Sequence, residues 1–346
     1  MIEDEQGEPE SGPDPETAPG SADPGADETL QAEVLVPPEY SGQRLDQALA
    51  RLFPELSRSR LQRWVKAKQV TVDGVPARPR DRVLGGERIE IDAVLEADAR
   101  WTPQEMPLEV VHEDADLIII DKPAGLVVHP GAGNPDRTLV NGLLHRYPEL
   151  ARVPRAGIVH RLDKDTSGLL AVARSLEAHA SLVAQLADRS MGRGYLAVVE
   201  GVPTGGFTVD APIARDPHNR LRMAVVESGR DAVTRVRVEA RYRAHALLAC
   251  RLQTGRTHQI RVHLRHMGHS IVGDPLYGAR GRLPTTPSAD LVAAVRGFRR
   301  QALHARSLAL IHPRDGTRSR FEAPVAEDLA GLIHALEADA ALAEER

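Results

Sequence analysis

The tightest constraint on how this chain folds is a set of seven apolar, strand-like runs between residues 108 and 311. Most of them are not separated by a helix of crossover length. The runs are LEVVHE (108–113), LIIID (117–121), GLLAVA (168–173), YLAVVE (195–200), TRVRVEARY (234–242), ALLACRLQ (246–253) and ARSLALI (305–311). Parallel strands need connections of about a dozen residues or more, usually helical. Here strands outnumber the helix-like runs TLVNGLLHR (138–146), LEAHASLVAQLADR (176–189), THQIRVHLRHMG (257–268) and VAEDLAGLIHALE (325–337). The expectation is an α+β domain on a mixed, mainly antiparallel sheet, and not a doubly wound parallel one. No internal repeat is visible.

Two further segments precede this region. Residues 1–33 carry eleven Asp/Glu, no Lys or Arg, and few large apolar groups. Such a segment cannot bury enough surface to offset its ordering entropy, so it reads as a disordered acidic tail. It also masks the charge of the rest. The whole chain has 44 basic and 49 acidic residues, so beyond the tail 44 face 38, a net +6. That balance is compatible with a polyanionic partner.

Residues 34–97 read as a small basic module. RLDQALARLF (44–53) has helical spacing, Pro54 stops it, and Ser57 is placed to cap a second helix. In that helix Leu61, Trp64 and Val65 share an apolar face, while Arg58, Arg60, Arg63, Lys66 and Lys68 supply dense positive charge. VTVDGVPA then signals a hairpin turning at Asp73-Gly74, and RIEI an alternating strand. A linker at 95–106 leads into the larger domain, taken as 98–346.

Several function classes drop out. No run of about 20 apolar residues exists to span a membrane, and the acidic N-terminus has no secretory pattern. Cys250 is the only cysteine, which rules out an intrachain disulfide or a cysteine-rich zinc site. There is no Walker loop, no dinucleotide fingerprint and no Gly-x-Ser-x-Gly elbow. A cytoplasmic monomer without cofactor or metal is expected.

The densest polar cluster is GIVHRLDKDTSG (157–168), directly before an apolar strand, a placement typical of catalytic loops on a rigid scaffold. Asp163 and Asp165 fit an acid–base pair, a metal site or a solvated turn. For a metal, no ligand beyond His160 lies at a diagnostic spacing, and Arg161 and Lys164 oppose a cation. A second cluster, TGRTHQIRVHLRH (254–266), suggests a helix capped by Thr257. Arg261, Arg265 and His258 would share one face, with Ile260, Leu264 and Met267 buried opposite. This is either a basic surface helix or an arginine set to meet a carboxylate or RNA phosphate.

HRLDKDTSGLL (160–170) and GRTHQIR (255–261) resemble the signatures of the RluA/RluD-type RNA pseudouridine synthases. DKPAG (121–125) with VHP (128–130), IVGDPLY (271–277) and QALH (301–304) match too, in the family's order, and together cover about residues 105–330. SRSRLQRWVKAKQVTVDG (57–74) is similar to the S4-like RNA-binding module that many members carry in front.

The resemblance implies a pseudouridine synthase fold and conversion of uridine to pseudouridine in RNA, most suitably large-subunit ribosomal RNA. Asp163 would be the nucleophile, Arg261 the partner that keeps it ionised and oriented, and Tyr195 the aromatic stacked on the target base. Arg161 would fill the gap left by the flipped uridine, and Arg256 would join the RNA contacts. The basic helix, Arg58 to Lys68, would meet phosphates and RNA shape. His160, Lys164, Thr166, Gly168, His129, His263 and His304 are expected to be structural. Gly194 departs from the charged residue that commonly precedes this tyrosine, which puts the local strand in question. The alternatives are the same chemistry on transfer RNA, a non-catalytic RNA-binding or ribosome-assembly protein, and a metal-dependent nuclease built on Asp163 and Asp165.

Overall fold

The computed structural model describes residues 29–53, 56, 58–94, 101–131, 133–219, 221–279 and 281–345. The Pro54 helix stop, the Ser57 cap, most of the acidic tail and the first half of the linker lie outside the described residues.

The N-terminal module is built from β1 (Thr29–Leu35), α1 (Leu45–Leu52), α2 (Arg58–Lys66), β2 (Val70–Val72), β3 (Val75–Pro76) and β4 (Arg88–Val94), in an antiparallel sheet of order β1-β4-β2-β3. Asp73 and Gly74 form the expected hairpin turn, both at positive φ. The apolar faces of both helices close on the sheet, burying Leu45, Leu49, Leu61, Trp64 and Val65 with Ile89 and Ile91.

The first strand corrects the expected boundary at residue 34. β1 begins at Thr29 and pairs along its whole length with β4, from Thr29 opposite Val94 to Leu35 opposite Arg88. An edge strand with one wet face needs only alternate apolar residues. Leu30, Ala32 and Val34 supply them, while Gln31 and Glu33 gave the segment the composition of a tail.

The larger domain carries a nine-stranded sheet. Its strands are β5 (Glu109–Glu113), β6 (Leu117–Lys122), β7 (Ser167–Ala173), β8 (Gly192–Glu200), β9 (Phe207–Asp210), β12 (Val233–Arg241), β13 (His245–Leu252), β14 (Leu303–Ile311) and β15 (Arg318–Glu322). The order is β5-β6-β7-β14-β8-β13-β12-β9, with β15 on β14. Among the described residues only β7 and β14 pair in parallel, through His304 opposite Ser167 and Ala305 opposite Gly168. The mixed, mainly antiparallel sheet is as expected. A separate hairpin, β10 (Ile213–Arg215) with β11 (Met223–Val225), stands off it.

Both faces of β6 and β7 are buried, which explains their unbroken apolar runs. Leu117, Ile119, Leu169 and Ala171 pack under α4 (Leu176–Ala187). Ile118, Ile120, Leu170 and Val172 join the main core with α3 (Leu139–Arg146), α5 (Gln259–His266), α6 (Ala289–Gly297) and α7 (Glu327–Glu344). Leu176 also packs against the N-terminal module.

Candidate active site

The loop before β7 is tied down almost residue by residue. His160 is buried, and its Nε2 accepts the Ala171 N–H (3.1 Å). Burial together with nearby Arg193 pulls its pKa down to about 3, so the ring is the neutral acceptor this bond requires. The Lys164 carbonyl accepts from Gly125 N–H (3.0 Å) and from Lys122 Nζ (3.0 Å). Lys122, fully buried at the end of β6, also donates to the carbonyls of Pro123 and Leu126. Burial draws its pKa down to about 7, against the attraction of Asp165 and Asp163.

From the other side come the residues just before β14. Arg300 donates to the Asp165 carbonyl (3.1 Å), and Gln301 Nε2 to Thr166 Oγ1 (3.1 Å). Thr166 N–H closes a turn onto the Asp163 carbonyl (3.1 Å). Gly168, at φ +109°, lets β14 approach; a Cβ there would stand 2.3 Å from the Ala305 carbonyl oxygen. So DKPAG and QALH brace the HRLD loop from opposite sides.

Asp163 emerges from this loop with its side chain 16% exposed. Its Oδ2 accepts from Arg261 Nη1 at 2.9 Å. Arg261 is 4% exposed and is held by Asp274, whose two oxygens accept from its Nε (2.7 Å) and Nη2 (2.8 Å). Asp274 Oδ1 also accepts the N–H groups of Leu276 and Tyr277. Burial would raise the Asp274 pKa, but the Arg261 hydrogen bonds outweigh it and leave it lowered. Arg261 stacks on the Tyr277 ring, 5.0 Å from Cζ to centroid. GDPLY therefore supplies the support for Arg261, a role its residues did not disclose in sequence.

Entry into α5 corrects the expected Thr257 cap. His258 takes the preceding position in a left-handed conformation (φ 56°, ψ 21°), and Gln259 Oε1 accepts from Arg256 N–H and Thr254 Oγ1. Met267 is likewise not buried. It follows the last turn and is 43% exposed, while Ile260 and Leu264 reach the core as expected. Arg265 points to the surface and donates to the Tyr277 carbonyl, whereas Arg261 is buried.

Tyr195 is buried in β8, 7% exposed. Burial raises its pKa, Arg193 opposes and Asp163 adds, so it is a phenol at neutral pH. At Gly194 the strand pairs regularly with β13, but on its other side the register with β14 shifts between His304 and Ser307, the residue opposite Gly194. A Cβ there would stand 2.3 Å from Ser307 Oγ of β14, so the missing side chain makes room for Ser307. Three cavities of about 460, 290 and 50 Å³ share Arg161 and Asp163 in their walls. Tyr195 and Arg256 line the latter two. The cleft thus joins Asp163, Arg261, Tyr195, Arg161 and Arg256. A larger cavity of about 600 Å³, around Gly194, Arg235, Arg251 and Arg320, holds neither Asp163 nor Arg261.

His263 bonds Thr234 and the Ala211 carbonyl, and His304 bonds Ser167, both buried. Among the described residues, Asp114, Asp116 and His312 lie close enough to share a cation. They sit at the opposite end of β6 from Asp163, and Asp114 Oδ1 already accepts two backbone N–H groups. No described helix is long and apolar enough to cross a membrane.

On the N-terminal module, Arg58, Arg63, Lys66 and Lys68 are exposed. Arg60 is not. It is 4% exposed and donates to the Arg152 carbonyl of the larger domain (2.8 Å), which corrects its expected place among the phosphate contacts. It falls on the apolar side of α2, next to Leu61 and Trp64, and ties the module to its neighbour.

A family described as RNA pseudouridylate synthase matches residues 116–266, and the S4 domain matches residues 43–89. Proteins named ribosomal large subunit pseudouridine synthase D are similar along most of the chain. The one from Xanthomonas campestris is 56% identical, covering 90% of this chain and 95% of its own. Those from Pseudomonas aeruginosa and Escherichia coli are 54% and 51% identical, covering 90% of this chain and 97% and 95% of their own. Among solved structures, human RNA pseudouridylate synthase domain containing 4 is similar with a TM-score of 0.52 at 25% identity, over 66% of this chain and 93% of its own. The chain therefore belongs to the RluA/RluD-type RNA pseudouridine synthases that carry an S4 domain, and it is an isomerase acting on RNA.

Proposed function

We propose that this protein isomerises specific uridines of large-subunit (23S) ribosomal RNA to pseudouridine, with Asp163 as its nucleophile. The observation that carries the reading is the state of Asp163. One oxygen is fixed by a buried, doubly anchored arginine, while Oδ1 accepts no hydrogen bond among the described residues and lies 4.0 Å from His258 Nε2. The ribosomal substrate is supported by the names of the bacterial relatives, and a cytoplasmic reaction is part of the same proposal.

The reaction exchanges bonds within one nucleotide. The N1–C1′ bond breaks, the uracil turns while held, and a C5–C1′ bond forms; C5 loses a proton and N1 ends with one. No redox change or energy source is needed. A carboxylate serves by adding at C1′ or at C6. Both atoms are inaccessible in a stacked strand, so the uridine must flip out, with Arg161 at the cleft filling its place. Tyr195 offers its face to the base and a phenol for proton transfer at C5. The S4 module presents Arg58, Arg63, Lys66 and Lys68 to phosphates.

Asp163→Ala should abolish pseudouridine formation while RNA binding persists. The readout is pseudouridine mapping in ribosomal RNA from cells carrying the wild-type or variant gene. Residual turnover by the variant overturns the nucleophile assignment. Activity on transfer RNA alone overturns the substrate.

A further inference from the structure

We infer that His258, held as the neutral Nε2–H tautomer by Tyr277, is a positioning residue for the free oxygen of Asp163. The inference rests on reading Asp163 as the nucleophile. Its basis is a chain of hydrogen bonds outside the aspartate–arginine pair. The buried Tyr277 hydroxyl accepts the Met223 N–H at 2.7 Å, and His258 Nδ1 lies 2.9 Å from the same oxygen. Among the described hydrogen bonds the buried hydroxyl's single proton has no acceptor other than His258 Nδ1, so we assign it there, with the Met223 N–H on one of the oxygen's lone pairs. A ring nitrogen that accepts a proton donor is unprotonated, so the ring hydrogen sits on Nε2. That atom is 4.0 Å from Asp163 Oδ1, while Arg261 holds Oδ2.

The ring's charge state agrees with its neighbours. Asp163, Arg161, Arg261, Asp274 and Tyr277 surround it, and burial outweighs the aspartates in keeping its pKa low. A neutral donor can steer the carboxylate oxygen without neutralising it. The backbone points the same way. His258 is a non-glycine residue in the left-handed region at the mouth of a helix, a conformation that costs about 1 kcal/mol or more and persists where the surroundings enforce it. That conformation turns the imidazole into the wall of the Asp163 cavity. A side-chain shift of about 1 Å between His258 and Asp163 would bring Nε2–H into hydrogen-bond range of Oδ1.

His258→Asn and His258→Gly test this, because both residues tolerate the left-handed backbone and separate the ring from the fold. The single-turnover rate at saturating RNA should fall about tenfold or more in each, with RNA affinity within about twofold. Wild-type rates in both variants overturn the inference. So does a loss of affinity at an unchanged rate, which makes His258 an RNA contact. Tyr277→Phe keeps the ring under Arg261 but removes the proton that holds Nδ1 empty. His258 then protonates more easily, and the acid limb of the rate–pH profile should move to higher pH; an unmoved limb overturns the tautomer assignment. Asp163→Ala runs alongside. If that variant turns over, the nucleophile reading fails, whatever His258 does.

Discussion

Asp274 grips Arg261 through both carboxylate oxygens, at 2.7 and 2.8 Å, so that Arg261 meets Asp163 with its one remaining terminal nitrogen. The arginine is thereby a fixed strut, with no freedom to follow the nucleophile.

Removing that grip should be costly in two ways. Asp274→Ala leaves a buried guanidinium with half its partners, and losing one member of a buried pair destabilises by about 3–5 kcal/mol. Urea unfolding should show a loss in this range, and single-turnover rates a fall of about tenfold or more at saturating RNA. Asp274→Asn, which keeps one acceptor, should be the milder in both assays. Equal rates for Asp274→Ala and wild type would mean that Arg261 positions itself unaided.

The basic surface of the S4 module, Arg63 and Lys66 on α2 and Lys68 in the turn after it, should act through charge alone. Replacing Arg63, Lys66 and Lys68 with alanine should weaken RNA binding and flatten its salt dependence, by about 0.7–0.9 in log–log slope for each phosphate no longer neutralised. The chemical step at saturating RNA should be unchanged. Arg58 should contribute less than these, because Asp46 already holds its guanidinium at 2.8 Å. Arg60→Met should leave the slope as it is, since that side chain is spent on Arg152.

Acid should loosen the N-terminal module through Asp46. Burial would raise this carboxyl's pKa, but hydrogen bonds from Arg44, Arg58 and Gln62 outweigh it and bring the value to about 2 from 3.8. The folded value lies below the unfolded one. The stabilisation is therefore full above about pH 4 and is lost as pH falls through 2. Hydrogen exchange of the α1 and α2 amides between pH 5 and 2 should report the loosening. Asp46→Asn should start less stable and lose that dependence.

Gly168→Ala should damage the site from a distance. The added methyl meets the Ala305 carbonyl at 2.3 Å and sits on a backbone at φ +109°, so a loss of about 2–4 kcal/mol is expected in denaturant titration. A near-neutral result would show that the two-residue seam between β7 and β14 is free to part.

Much of this fold is legible in the sequence. All seven apolar runs became strands and all four amphipathic runs became helices, because burial on one or two faces imposes a period that survives in the sequence. The elements missed are those with little buried surface of their own: β1, β9, β15, α6 and the β10–β11 hairpin. In the site, Asp163, Arg261 and Tyr195 were named and the fold brings them to one cleft. Asp274 was quoted within a motif yet given no task, since a carboxylate that serves another side chain 13 positions away leaves no local pattern. Arg60 misled because charge on a helix reads as surface. Its burial comes from the second domain packed against α2, which no local pattern announces.

The place of β14 in the sheet bears on how the enzyme comes into being. This strand, residues 303–311, is threaded between β7 and β8, although more than a hundred residues separate it from either. Arg300 and Gln301, which clamp the Asp163 loop, arrive with it. A chain emerging from the ribosome thus carries its nucleophile early but lacks the strand that sets it in place. Competence switches on only once residues 300–311 have emerged and taken their place in the sheet. Truncated products that end before residue 303 should be inert toward the ribosomes that made them.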